Sequence, residues 1–191
     1  MAQIIEIATT VISAAELAKK VADTISQLIP EVPATLKEKY RWIQCTVRNE
    51  TEFDILLQGT YFDSGKYWDP PSNIKPFEQM AFAGSNGDHT VLTGVSGGTS
   101  FRLSLDTHHY FDFAVGWTNP SAGAVKAGVV ESTNAEDRYN IAAATGNSIQ
   151  SSHKYQGLDK HGKRTTLRFH VQATAGHNSA LYVIREVRVP E

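Results

Sequence analysis

The sequence predicts a mainly β protein, a β-sandwich flanked by an N-terminal amphipathic helix and a second short helix. Three observations predict it. Residues 2–29 carry apolar side chains at steps of three and four. From Trp42 onward the apolar period changes to two, in short runs separated by glycine, asparagine, aspartate and proline, the pattern of strands joined by polar turns. Beyond residue 132 a single alanine-rich run interrupts that pattern.

Along the opening segment Ile4, Ala8, Val11, Ala15, Ala18, Ala22, Ile25 and Ile29 fall on one helical face, while Glu6, Thr10, Ser13, Glu16, Lys20, Asp23 and Gln27 fill the other. Glycine and proline are absent until Pro30 and Pro33 stop the helix. At about 1.5 Å per residue it spans roughly 42 Å, more than the roughly 30 Å hydrocarbon layer of a bilayer. A stripe of that length needs an apolar partner. Either it packs on its own domain or in a coiled coil, or it is stored on the surface and later enters a membrane or an oligomer. The second reading requires the remainder to form a domain without it.

After the helix a charged linker, TLKEKYR, leads into strand patterns in WIQCTVRN and FDILLQGTYF, with turns at 63–65 and 69–73. Further strands are expected at 79–83, 90–93, 99–105, 110–115, 125–131, 165–173 and 179–189. Leu167, Phe169 and Val171 share one face of the penultimate strand. Thr133 and Glu136 read as a capping box before AEDRYNIAAAT, a helix ended by Gly146. Residues 147–164 read as a long loop or irregular hairpin. The β body therefore covers about 150 residues, enough to bury its own core.

The chain of 191 residues, 41% hydrophobic and 20% charged, suits one domain. A net charge of −2 and a pI near 6.4 give no electrostatic case for nucleic acid. The lone cysteine, Cys45, excludes an intrachain disulfide framework, and its apolar strand context predicts a buried, inert thiol. No basic n-region precedes the opening apolar residues and Glu6 interrupts them, so a classical signal peptide is not expected. Nor does any run of about 18 apolar residues occur. The chain is expected to be soluble.

Catalytic and metal motifs are weak. Gly94-Val95-Ser96-Gly97-Gly98 fits the G-x-S-x-G pattern, but a nucleophile elbow needs a helix after the serine. A glycine-rich turn is expected there instead. Asp106, His108 and His109 form a close cluster, yet adjacent histidines on a strand point to opposite faces, so a solvated turn is expected and no metal. Asn49-Glu50-Thr51 is a glycosylation sequon that reads as a turn between strands. No enzyme activity and no cofactor are expected.

The layout and five local stretches resemble the actinoporins and actinoporin-like pore-forming cytolysins, of the cytolysin/lectin-type β-sandwich. The stretches are Val47-Arg48-Asn49-Glu50-Thr51, Tyr61-Phe62-Asp63-Ser64-Gly65, Thr93-Gly94-Val95-Ser96-Gly97, Phe113-Ala114-Val115 and Gly176-His177. The resemblance implies a sandwich that binds lipid membranes through an aromatic cluster and a headgroup pocket, oligomerises, and inserts its N-terminal helix to form a cation-permeable pore. It divides the chain into a membrane-inserting helix (1–30), a linker (31–41) and a membrane- or ligand-binding sandwich (42–191). By the same resemblance, lipid-headgroup binding falls to Ser64, Ser96, Trp117, Tyr139 and Arg41. Membrane insertion falls to Ile4, Ile5, Ala8, Val11, Ile12, Ala15, Ala18, Val21, Ala22, Ile25 and Ile29. The resemblance also implies a target membrane as the expected site of action, with release to the extracellular space as one route to it.

Departures from the family pattern bear on the lipid. Ser96 stands where the family has a valine, and FAVGWTNPSAGAVK keeps only Trp117 of a run of tyrosines and tryptophans. Ala142 to Ala144 replace further tyrosines of the late helix. Sphingomyelin is therefore not carried over as the ligand. Trp68 and Tyr67 offer an alternative membrane-facing aromatic pair or a cap on the sandwich end. The other reading is a non-lytic, lectin-like module of the same fold that binds a carbohydrate or a lipid headgroup.

Overall fold

The computed structural model describes residues 4–7, 12, 13, 15, 16, 30–87, 90, 92–139, 146–159 and 161–189. Twelve strands are described: β1 (Ile4–Ile7), β2 (Trp42–Glu50), β3 (Asp54–Ser64), β4 (Lys66–Asp69), β5 (Gln79–Ser85), β6 (Val95–Ser104), β7 (Tyr110–Asn119), β8 (Lys126–Val130), β9 (Ser148–Gln150), β10 (Tyr155–Asp159), β11 (Arg164–Gly176) and β12 (Ser179–Arg188). Two short helices join them, α1 (Ala34–Lys37) in the linker and α2 (Ala135–Tyr139) after β8. One sheet runs β1-β10-β11-β12-β2-β5-β4, with β9 also on β11, and the other runs β3-β6-β7-β8.

Alternation decides what meets between the sheets. Phe101 and Leu103 of β6 and Phe111, Phe113, Val115 and Trp117 of β7 face Ile43, Cys45, Val47, Phe82, Phe169, Val171, Tyr182 and Ile184. Phe111 stacks on Phe169 across the gap at 6.0 Å and 17°, and the Tyr182 hydroxyl donates to the Gly116 carbonyl at 2.6 Å. Burial pushes the Cys45 thiol well above its ordinary pKa, so it is the inert core cysteine expected.

On the outside of the smaller sheet, register aligns Gly98, Gly116 and Gly128 in one row across β6, β7 and β8. A Cβ on Gly98 would lie 2.0 Å from the Ala135 carbonyl oxygen. The glycines thus give α2 a floor without side chains, and its backbone rests directly on the sheet. The outer side of β12 is also closed: Leu181, Val183 and Val187, which alternate with the core residues Tyr182 and Ile184, are buried.

The opening segment departs from the helix expected over 2–29. Ile4–Ile7 is a strand, parallel to β10 with Ile5 opposite Gly157, and Ile5 is 1% exposed within the core. Two forces favour this outcome: β-branched isoleucines suit a strand, and β10 would otherwise be a bare edge. Ile12 bridges to Val187 and accepts a hydrogen bond from the Arg188 amide at 2.8 Å. Ala15 and Glu16 are helical, and Ser13 and Glu16 exchange side-chain to backbone hydrogen bonds of 2.7 and 3.3 Å, a capping box. The expectations for Ala8, Val11, Ala18, Val21, Ala22, Ile25 and Ile29 fall outside the described residues.

Smaller corrections have local causes. Residues 94–98 are not a turn, because Val95–Gly98 opens β6. No strand is described within 90–93, where Leu92 takes a left-handed φ of 70°. The cap of α2 is Asn134, whose side-chain oxygen accepts from the Glu136 amide at 3.0 Å, with Asp137 reaching back to it. It therefore replaces the Thr133 and Glu136 pair. The Asn49 side chain accepts from the Thr51 amide and hydroxyl at 3.0 and 2.7 Å in a buried turn. Its burial leaves no room for a glycan.

Candidate functional site

Strand directions gather most of the expected headgroup residues at one end of the sandwich. The starts of β2, β6 and β12 and the ends of β3, β5, β7 and β11 meet there. Ser64 pairs with Ser96, Ser96 with Thr118, and Thr118 with Lys126, so four polar residues line one row across the small sheet. Ser96 and Thr118 join their hydroxyls in a short hydrogen bond. The row lies two residues from the glycine floor of α2, roughly 7 Å along the strands.

Arg41 ties the pole together. Its guanidinium donates to the Ser121 carbonyl at 2.6 Å, and its backbone exchanges hydrogen bonds with Asn86 at 3.2 and 2.9 Å. Asn86 in turn donates to the Thr90 carbonyl at 2.7 Å. Asn119 donates to the Trp42 carbonyl and to the Asn178 side chain, both at 2.8 Å. The linker and the loops after β5, β7 and β11 are thereby stitched to one another, and between them opens a cavity of about 380 Å³. Arg41, His177 and the amides of Asn119 and Asn178 line it, without a carboxylate. The Arg41 Nε is buried there with no hydrogen-bond partner.

Three large apolar side chains stand exposed on this pole. Tyr40 is 48%, Trp68 40% and Leu92 76% exposed, and the Lys39 ammonium lies 5.3 Å from the centre of the Trp68 ring. The Tyr67 and Trp68 pair splits by strand alternation. Tyr67 turns inward, edge-on to Phe62 and Phe82 with its hydroxyl 3.3 Å from that of Thr99, and only Trp68 turns out.

Trp117 is not a surface residue. It is 1% exposed, edge-on to Phe82 at 5.0 Å and Phe62 at 6.1 Å. Its register partner Gly97 makes the space, since a Cβ there would lie 3.0 Å from the indole and 2.4 Å from the Tyr61 carbonyl. Trp117 therefore supports the pole from beneath and offers no face to a ligand. Tyr139 ends α2, and its side chain falls outside the described residues. Ser64, Ser96 and Arg41 are thus brought to one pole. Sequence reading missed Tyr40, Leu92, Thr118 and Lys126 there. Register with Ser96 would have found Thr118, whereas nothing local marks Leu92.

At the other end, the Asp106 cluster is the expected turn. The Asp106 carboxylate accepts from the His108 and His109 amides at 2.7 and 2.8 Å and from the His109 ring, which holds it below the usual carboxylate range. Among the described residues no group of three potential ligands could hold a metal ion, and no helix is long and apolar enough to cross a membrane.

No family model matches the chain, and no curated protein matches it. Among solved structures, the chain is similar to one titled as the lipid binding protein Nakanori, at 15% identity and a TM-score of 0.45, over 92% of this chain and 80% of that one.

Proposed function

We propose that this chain is a lipid-binding protein that docks on membranes by the pole around Arg41. The observation that carries the reading is the joint exposure of Tyr40 and Leu92, on loops cross-tied by Arg41 and Asn86, and of Trp68 on the edge strand β4. Aromatic rings and an aliphatic tip beside cations are the composition that settles at a bilayer interface. Burying each exposed side chain contributes about 1.5 to 3 kcal/mol. Sedimentation with vesicles of natural lipid extract tests it: the protein should pellet with lipid, and binding to no extract would end the proposal.

The finer reading is that docked copies oligomerise and release the opening segment into the bilayer as a cation-permeable pore. Two anchors support a stored segment. Ile12 is held at the end of β12 and Pro30 at the start of β2, where its carbonyl accepts from the Gln44 side chain at 2.9 Å. Val187 and Ser179, the register partner of Gln44, lie eight residues apart on β12, roughly 27 Å of strand. The helix expected between Ile12 and Pro30 has about that length. Release must then break β1 from β10 and withdraw Ile5 from the core.

That step is testable by a cysteine pair at the register partners Ile4 and Gln156. Oxidised Ile4→Cys/Gln156→Cys protein should bind vesicles yet release no trapped dye, and reduction should restore leakage. Equal leakage in both states would reject insertion of this segment while leaving docking intact.

A further inference from the structure

We propose that the pocket at the opposite pole, bounded by Tyr110, Asp112, Glu131 and His153, binds a neutral saccharide. The site goes beyond lipid docking and shares no residue with the Arg41 pole. It encloses about 340 Å³, within the range of small-molecule clefts. Three features select the ligand class: a fixed aromatic ring, carboxylate oxygens already held in direction by hydrogen bonds, and imidazole nitrogens around them.

The ring is Tyr110, 49% exposed. Arg102 lies 3.7 Å from its centre and is itself held by both Asp112 oxygens at 2.8 Å each. Beneath it the Tyr155 hydroxyl donates to the Tyr110 carbonyl at 3.0 Å. A side chain pinned this way gives up little entropy on binding. It presents a flat apolar surface suited to the C–H face of a pyranose. Because a guanidinium already sits over the ring, a second cation gains little there.

The carboxylates point the same way. Arg102 compensates Asp112. Glu131 accepts from the Ser152 amide at 2.7 Å and from its hydroxyl at 2.8 Å. Each oxygen keeps a further lone pair, fixed in direction and with its charge partly compensated, which suits hydroxyl groups better than ions. His153, whose Nδ1 lies 3.1 Å from the Ser152 hydroxyl, and His108 complete a lining of alternating donors and acceptors. A polyol satisfies both kinds of group at once.

The test is ligand-detected NMR and calorimetry in lipid-free buffer with glucose, galactose, mannose, N-acetylglucosamine and choline chloride. At least one sugar should bind with a dissociation constant of about 1 mM or tighter, near −4 kcal/mol. Glu131→Gln and Tyr110→Ala should each weaken it at least roughly tenfold, with an unchanged circular dichroism spectrum, and Arg41→Gln should leave it unaltered. His153→Ala, an exposed position, supplies a third variant should Tyr110→Ala fold poorly. Binding of no sugar, binding indifferent to all three pocket variants, or binding of choline alone would overturn the proposal. Since no lipid is present, none of these outcomes bears on membrane docking.

Discussion

The two ends of this sandwich carry opposite chemistry on one scaffold. Around Arg41, large apolar side chains project from an edge strand and from loops that backbone and amide hydrogen bonds hold together, and the cavity there lacks a carboxylate. Around Tyr110 the exposed ring is pinned by a guanidinium, and carboxylates and histidines line the pocket. The composition of the first end suits the proposed docking on a surface that excludes water, and that of the second the proposed binding of hydroxyl groups in water. Loops at the ends of a rigid sandwich can diverge in this way because the core between them sets their positions without setting their composition.

The largest test of the contrast concerns Trp117 and Trp68, two tryptophans of the Arg41 pole. Trp117→Ala removes a buried indole from between Phe62 and Phe82 and should cost about 3 to 5 kcal/mol of stability, read as a lowered denaturant midpoint, with docking lost as the loops lose their support. Trp68→Ala removes an exposed ring. Its stability should change by about 0.5 kcal/mol or less, while vesicle affinity falls roughly tenfold or more, in line with the 1.5 to 3 kcal/mol of one lost apolar side chain. Equal effects of both variants on stability would erase the distinction between support and contact.

The pH dependence should come from two buried groups of the larger sheet, His170 and Glu186. Burial, reinforced by Arg185, pushes the His170 imidazole down to about 4. Between that value and its ordinary 6.5 the native state binds fewer protons than the unfolded one, so this group makes stability rise with pH. Burial pushes the Glu186 carboxyl up to about 7 from 4.5, against the opposing hydrogen bond from the Glu52 amide. Between those values the native state binds more protons, so this group makes stability fall as pH rises. Each contribution is about 3 kcal/mol at full extent, and the two cancel over most of their shared window. Urea titrations of the wild type at pH 4.5 to 6.5 should therefore be nearly flat. Glu186→Gln should unmask a rise with pH and His170→Gln a fall, and a flat profile in either variant would contradict the assignment.

These contrasts also show where the sequence is legible. Alternation in 42–189 specified the sandwich because each buried face must repeat every second residue. The same alternation places Phe113, Val115 and Trp117 on one face, so the burial of Trp117 is readable from the period, and that burial runs against the ligand-binding role the resemblance implies. Ile4–Ile7 was not readable, because four residues satisfy a helical and an extended pattern equally and only the open edge of β10 decides. The floor of α2 was equally hidden. Gly98, Gly116 and Gly128 become neighbours only once the register of three strands is known.

Leu92 gives the smallest effect and the sharpest sign. A branched side chain held at φ 70° is strained by about 1 kcal/mol relative to asparagine or glycine, which enter the left-handed region more readily. Solvent exposure of 76% means that little packing within the fold repays the strain. If its place on the loop tip serves docking, Leu92→Asn should raise the unfolding free energy by about 0.5 to 1 kcal/mol while weakening vesicle binding. Stability and binding moving in opposite directions is the mark of a residue kept for contact with a partner. A variant that binds vesicles as well as the wild type would remove Leu92 from the docking surface, leaving Tyr40 and Trp68 to carry it.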